Sequence, residues 1–351
     1  MVTSLPGLGL ALPAEGTSLS ASLRLARLAD ELGYGAISVA ERNDWELFAS
    51  AAALAQVTQR ARIVTAIASV YTRPPALLAM GAATVQDLAA GRFVLGLGSS
   101  SEPITRRWMG LAFDRPYTRL AETLAVVPRI LAGERTDEDG QTLSTHGFRL
   151  GIPTVGHVPI HLASLGPRTA ELAGRSADGA ILNMVCPDGA GAAARRIRLA
   201  AEAAGREAAP EVSLTVPLVL TGAGRSHEAG RRLLAGLAAS YAQVEVYRRH
   251  LHRLGIGPTA DRVARRWRSG DRTGAVAAVD DHLLAAAGAV GTIEDCAARL
   301  AAYLDAGLDR VNAYLIPAPD DGGEPNDGLA GAVSDLHAAV AGLMDRRGHR
   351  R

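Results

Sequence analysis

Residues Pro159-Ile-His-Leu-Ala-Ser-Leu-Gly-Pro-Arg168-Thr-Ala-Glu-Leu-Ala-Gly-Arg-Ser-Ala-Asp-Gly-Ala-Ile-Leu-Asn183 join an apolar strand, a glycine turn, a short helix and a second strand without a break. They read as a βαβ unit. After the strand Ile160–Ala163 the chain turns at Leu165-Gly166, and Pro167 stands where the first helical residue belongs, a position whose N–H has no intrahelical partner. The N–H groups opening a helix near Arg168 would point at an anion over the turn, and a guanidinium there can close a bidentate contact on a phosphate. Ser164, Leu165, Gly166, Pro167 and Arg168 are therefore candidate phosphate-cradle residues. On these residues alone, an ordinary tight turn explains Gly and Pro equally well.

Working outward, the same alternation of short apolar strands and amphipathic helices recurs along the chain. Expected strands are Leu8–Leu12, Ala36–Val39, Ile63–Ala68, Phe93–Gly98, Ile160–Ala163, Ala180–Asn183, Val212–Leu220 and Arg310–Ile316. Leu25, Leu28, Ala29 and Leu32, then Leu47, Ala51, Leu54 and Ala55, keep helical spacing between them. Eight strands that alternate with helices predict an α/β fold, a (β/α)8 TIM barrel rather than an open sheet. The stretch of about 225–290 holds more helix than one barrel unit needs and is expected to be a helical insertion between strands 7 and 8. The 351 residues fit one barrel domain spanning 1–351.

Net charge is +1 and hydrophobic residues make up 48% of the chain, which points away from nucleic acid or an acidic membrane surface as partner. The sequence contains no lysine, which excludes a Schiff-base lysine and a Walker lysine. Cys186 and Cys296 lack metal-ligand spacing, and no signal-like segment precedes them, so free thiols in a cytoplasmic protein with no metal are expected.

In a parallel barrel the chemistry lies at the C-terminal strand ends. The second strand ends in Glu41-Arg-Asn-Asp-Trp45. Asn43 or Asp44 can be read as a helix cap, whereas Glu41, directly behind the strand, is expected to face the pocket and handle protons or meet a ligand. The fourth strand, Gly91-Arg-Phe-Val-Leu-Gly-Leu-Gly98, is followed by Ser99, Ser100 and Ser101. Its alternate glycines admit another backbone or a flat ligand. No G-x-S-x-G elbow or H-E-x-x-H zinc motif is present.

Gly91–Gly98, Ser69-Val70 with Thr72-Arg73-Pro74, Leu165–Arg168 with Ala177-Asp178-Gly179, and Gly291-Thr292 with Ala306–Asp309 together resemble the bacterial luciferase-like monooxygenase superfamily. The chain is most similar to its coenzyme F420-dependent oxidoreductase branch. That resemblance implies a flavin-like deazaflavin, F420, at the barrel mouth, with FMN as the alternative cofactor, and its phosphate on the Leu165–Arg168 loop. It implies hydride transfer to or from a small organic substrate, with an F420H2-dependent reductase as the leading expectation and a homodimer as the expected assembly. An FMNH2-dependent monooxygenase and a non-catalytic flavin-binding barrel are the alternatives. It also implies a non-proline cis peptide at Ser69–Val70 against the ring, and cofactor contacts from Thr72, Ser99 and Ser100. Relatives that oxidise glucose 6-phosphate carry Asp-His where Glu41-Arg42 stands here, so the histidine proton relay of that reaction does not carry over, which puts the sugar-phosphate reaction in doubt. Arg73, Arg106 and Arg107 either meet an acidic cofactor tail or form a solvated surface.

Overall fold

The computed structural model describes residues 4–14, 16–221, 226–317 and 328–348. The polar stretch from Asp320 to Asp327 and the basic end beyond residue 348 lie outside the described residues. The strands are β1 (Leu5–Leu12), β2 (Tyr34–Val39), β3 (Arg62–Thr65), β4 (Phe93–Gly98), β5 (Ile160–Ala163), β6 (Gly179–Leu182), β7 (Glu211–Leu220) and β8 (Arg310–Pro317). Every pairing given among them is parallel. They are the strands of a (β/α)8 TIM barrel. Each is a short, almost wholly buried apolar run, as a strand covered on both faces must be.

The chain divides into two compact units. In the first, β8 lies between β7 and β1, and Ala289–Gly291 pairs with β7 on its other edge. Between β7 and Ala289 stand the helices His227–Ala242, Glu245–Arg253, Gly257–Arg268, Arg272–Ala277 and Asp281–Ala287, which form the expected insertion. They bury an apolar cluster of their own around Leu234, Leu251, Val263 and Leu283.

The second unit carries β2 to β5 and most of β6. Helices α2 (Leu47–Val57), α3 (Pro75–Leu88), α4 (Pro116–Leu131) and α5 (Pro167–Ser176) follow strands β2 to β5 respectively, just as α1 (Leu19–Leu32) follows β1 in the first unit. Pro75, Pro116 and Pro167 open their helices, the position where a missing N–H costs nothing. Gly96 sits where an added Cβ would come within 1.8 Å of the Thr65 carbonyl oxygen, so close approach of a neighbouring backbone explains that glycine. At Gly98 the neighbour is the Ile67 side chain, 2.7 Å from the same added atom. The glycines of β4 thus serve packing within the chain.

Two connections carry structure beyond the alternating strands and helices. Residues Pro103–Trp108 form a short π-helix. Within Thr136–Val158, the segments Thr136–Asp139 and Ser144–Phe148 pair as an antiparallel hairpin.

Candidate active site

Past β2 the chain reaches Glu41, whose side chain is only 11% exposed. Glu41 Oε2 accepts the Ser69 backbone N–H at 2.8 Å. Its Oε1 accepts the Thr72 hydroxyl at 2.9 Å and the Arg73 guanidinium at 2.7 Å. Arg73, 13% exposed, reaches on to Glu46 at 2.5 Å and lies 5.3 Å from the centre of the Phe48 ring. Glu46 caps α2 by accepting the Ala49 N–H at 2.7 Å. Burial raises the Glu46 pKa, but the Ala49 N–H and Arg73 outweigh it and hold the carboxyl below its usual range. The cap is therefore Glu46, while Arg42 pairs with Asp44 at 2.8 Å. Glu41 is no cap, and it draws Ser69, Thr72 and Arg73 into one cluster at the ends of β2 and β3.

The apolar run Ile63–Ala68, expected as one strand, is interrupted. β3 stops at Thr65, the non-proline cis bond lies at Ala66–Ile67, and Ser69–Val70 is trans. Ala68–Ser69 then pairs again with β4, opposite Leu97 and Gly98. The cis bond follows directly on the end of β3, which lies three residues before the end of the apolar run, and so it precedes the expected Ser69–Val70 position by three residues. Val70 itself is buried, its N–H donating to the Gly98 oxygen at 3.0 Å.

At the end of β4, Ser99 and Ser100 are half-buried, and Ser100 has a left-handed φ of 56°. Ser101 is buried, and its carbonyl accepts the Thr105 N–H at 2.9 Å on the way into the π-helix. Glu102 pairs with Arg106 at 3.1 Å across one turn. Arg107 has no salt bridge among the described residues.

At the end of β5, Ser164 is buried, its hydroxyl 3.3 Å from that of Thr169. The Thr169 hydroxyl donates to the Gly166 oxygen at 2.9 Å and accepts the Gly166 N–H at 3.3 Å, closing the start of α5. Leu165 is half-buried, whereas Pro167 and Arg168 are exposed. The Arg168 guanidinium stacks 4.0 Å from the centre of the Tyr117 ring and pairs with no carboxylate among the described residues. Gly166 has φ −155°, extended backbone open to any residue, so backbone shape does not explain the glycine. An uncompensated cation beside the positive end of a ten-residue helix, with no side chain at the turn, fits a phosphate group.

Sequence reasoning missed Thr169, Arg73 as partner of Glu41, and the role of Asp178. The Asp178 carboxylate accepts the Ile160 N–H at 2.8 Å, which ties β5 to the start of β6. Thr292 and Asp295 form a reciprocal helix cap, so these two recurring motifs have structural roles. A cavity of about 490 Å³ lies among the insertion helices, lined by Arg231, Arg232, Ala235, Arg272 and Val276, apart in sequence from every candidate above. No group of His, Cys, Asp and Glu able to hold a metal ion occurs among the described residues.

Comparison with known proteins identifies the class. Residues 1–310 match the luciferase-like monooxygenase family, and the chain belongs to it. It is 28% identical over 302 residues to the 5,10-methylenetetrahydromethanopterin reductase of Methanolobus tindarius, covering 82% of this chain and 88% of that one. Among solved structures it resembles the coenzyme F420-dependent tetrahydromethanopterin reductase of Methanopyrus kandleri, with a TM-score of 0.77, 20% identity, and 96% and 99% of the two chains covered. An F420-dependent secondary alcohol dehydrogenase gives a TM-score of 0.71 at 18% identity, with 96% and 99% covered.

Proposed function

We propose that this protein binds coenzyme F420 and transfers a hydride between the deazaflavin C5 and a small organic substrate, acting as an F420H2-dependent reductase. The start of α5 carries the reading: Arg168 is held on Tyr117 without a carboxylate partner, beside helix N–H groups and an unsubstituted Gly166. Relatives whose names carry coenzyme F420 support F420 over FMN. When bound, the deazaflavin supplies the hydride chemistry.

The chain's own residues bind and orient. Gly166, Arg168 and the opening N–H groups of α5 hold phosphate, with Ser164, Leu165 and Pro167 shaping the turn. We assign Ser69, Val70 and Thr72 to one wall, held by Glu41 through the Ser69 N–H and the Thr72 hydroxyl. Ser69 and Val70 are buried, so of the three only Thr72 has side-chain surface to offer, and Ser99 and Ser100 add hydroxyl donors. Glu41 has both carboxylate oxygens engaged, so we assign it the task of holding that wall instead of moving a proton. Titrating the purified protein with F420 and FMN, followed by their fluorescence, is expected to show tighter binding of F420. Tighter FMN binding, or oxygen-consuming turnover with FMNH2, would transfer the protein to the monooxygenase reading.

We further propose a cytoplasmic homodimer. Cys186 and Cys296 are free thiols. Leu77 and Met80, each 47% exposed, lie with Leu88 on one face of α3, and the reading of a contact with another copy is supported by this exposed apolar face. Met80→Arg places a charge in its middle and is expected to shift the sedimenting species from dimer to monomer. A wild-type monomer would remove the proposal.

A further inference from the structure

We propose that Arg119 is a positioning residue for the Ser69–Thr72 wall, acting through the backbone oxygen of Val70 and locking the wall to the Thr136–Phe148 hairpin. The inference rests on the reading of that wall as a cofactor contact. Arg119 lies in the first turn of α4. Its Nε donates to the Val70 oxygen at 2.9 Å and its Nη1 to the Thr142 oxygen at 2.7 Å. The guanidinium also lies 5.0 Å from the centre of the Tyr71 ring. Tyr71 is held in turn, its hydroxyl donating to the Asp114 oxygen at 2.7 Å and its ring 4.9 Å from that of Phe113.

Arg119 forms no ion pair among the described residues, so charge neutralisation does not account for it. Its donors go to two carbonyls that lie 49 residues before it and 23 residues after it in sequence. A planar fork of fixed donors holds two acceptors at a set angle, which a single ammonium cannot do. One turn further along α4, Glu122 accepts the backbone N–H groups of Gln141 at 2.7 Å and Thr142 at 3.0 Å. Glu122 therefore docks the tip of the hairpin alone, whereas Arg119 joins the tip to the wall. The two residues separate the roles and supply the control.

The test uses the full chain, with F420 titration and hydrogen exchange read by peptide. Arg119→Gln is expected to weaken F420 binding by about tenfold, the equivalent of one charge-assisted hydrogen bond, and to speed exchange in both 68–73 and 140–148. Arg119→Lys, which keeps charge and length, is the comparison that stays folded, and it should show the same changes to a smaller extent. Glu122→Ala should speed exchange in 140–148 only and leave F420 affinity nearly unchanged. Unaltered affinity and unaltered exchange of 68–73 in both Arg119 variants would overturn the proposal. Wild-type protein that fails to bind F420, while Arg119→Gln still loosens both segments, would instead overturn the functional reading and leave the clamp standing.

Discussion

Glu41→Ala is expected to destabilise the protein by about 3 kcal/mol, the lower end for breaking a buried ion pair, and to weaken F420 binding by about tenfold or more. The carboxylate is largely buried and holds three groups at once, so its removal strands the Ser69 N–H and the Thr72 hydroxyl and leaves a buried cation with less compensation. Arg73 keeps Glu46, which is why the lower end applies. With an unfolding entropy of about 2.1 cal/mol/K per residue over 351 residues, 3 kcal/mol corresponds to a fall of about 4 °C in Tm. Glu41→Gln keeps the shape and an acceptor for Ser69 but sets an uncharged amide against Arg73, so a smaller loss is expected. Removing Arg73 together with Glu41 should cost less than the two single changes added, because the stranded cation goes too. Calorimetry with F420 titration checks both effects. An unchanged Tm and affinity in Glu41→Ala would show that the cluster holds nothing.

The barrel was legible because its strands are buried on both faces and read as short apolar runs between glycine and proline turns. β4, β5 and β8 begin where the sequence puts them, and β7 begins one residue earlier. The Thr136–Phe148 hairpin was not legible, since Thr-Asp-Glu-Asp and Ser-Thr-His-Gly-Phe expose polar faces and carry no apolar alternation. The π-helix at Pro103–Trp108 has no period that separates it from a loop. Glu41 stood out by position, yet its partners lie 28 to 32 residues away, a distance no local pattern spans. Arg168 was visible through the turn chemistry around it, but the ring of Tyr117 that holds it is supplied by another helix. Several motifs that carry the family likeness proved structural, including Asp178 across β5 and β6 and the Thr292 cap, because a fold repeats its turns as faithfully as its site.

Arg168→Ala is expected to weaken F420 binding by roughly 1–3 kcal/mol, or roughly 5- to 150-fold, the range for a hydrogen bond to a charged group. The side chain is exposed and supports no ion pair among the described residues, so the fold should not change with it. Gly166→Val tests the same site sterically. The extended backbone at Gly166 accepts valine, and the Thr169 hydroxyl bonds only backbone atoms there, so α5 keeps its start. The two methyl groups would stand where a ligand must approach the turn, and binding should fall at least as far as in Arg168→Ala. A deazaflavin core lacking the phosphate makes the assignment specific. Its affinity should hardly respond to Arg168→Ala, because the contact that the arginine loses is to phosphate. If both variants bind F420 as wild type does, the α5 turn is only a turn. If Arg168→Ala weakens F420 and the phosphate-free core equally, the arginine serves the pocket through its stacking on Tyr117, and the phosphate must be held elsewhere.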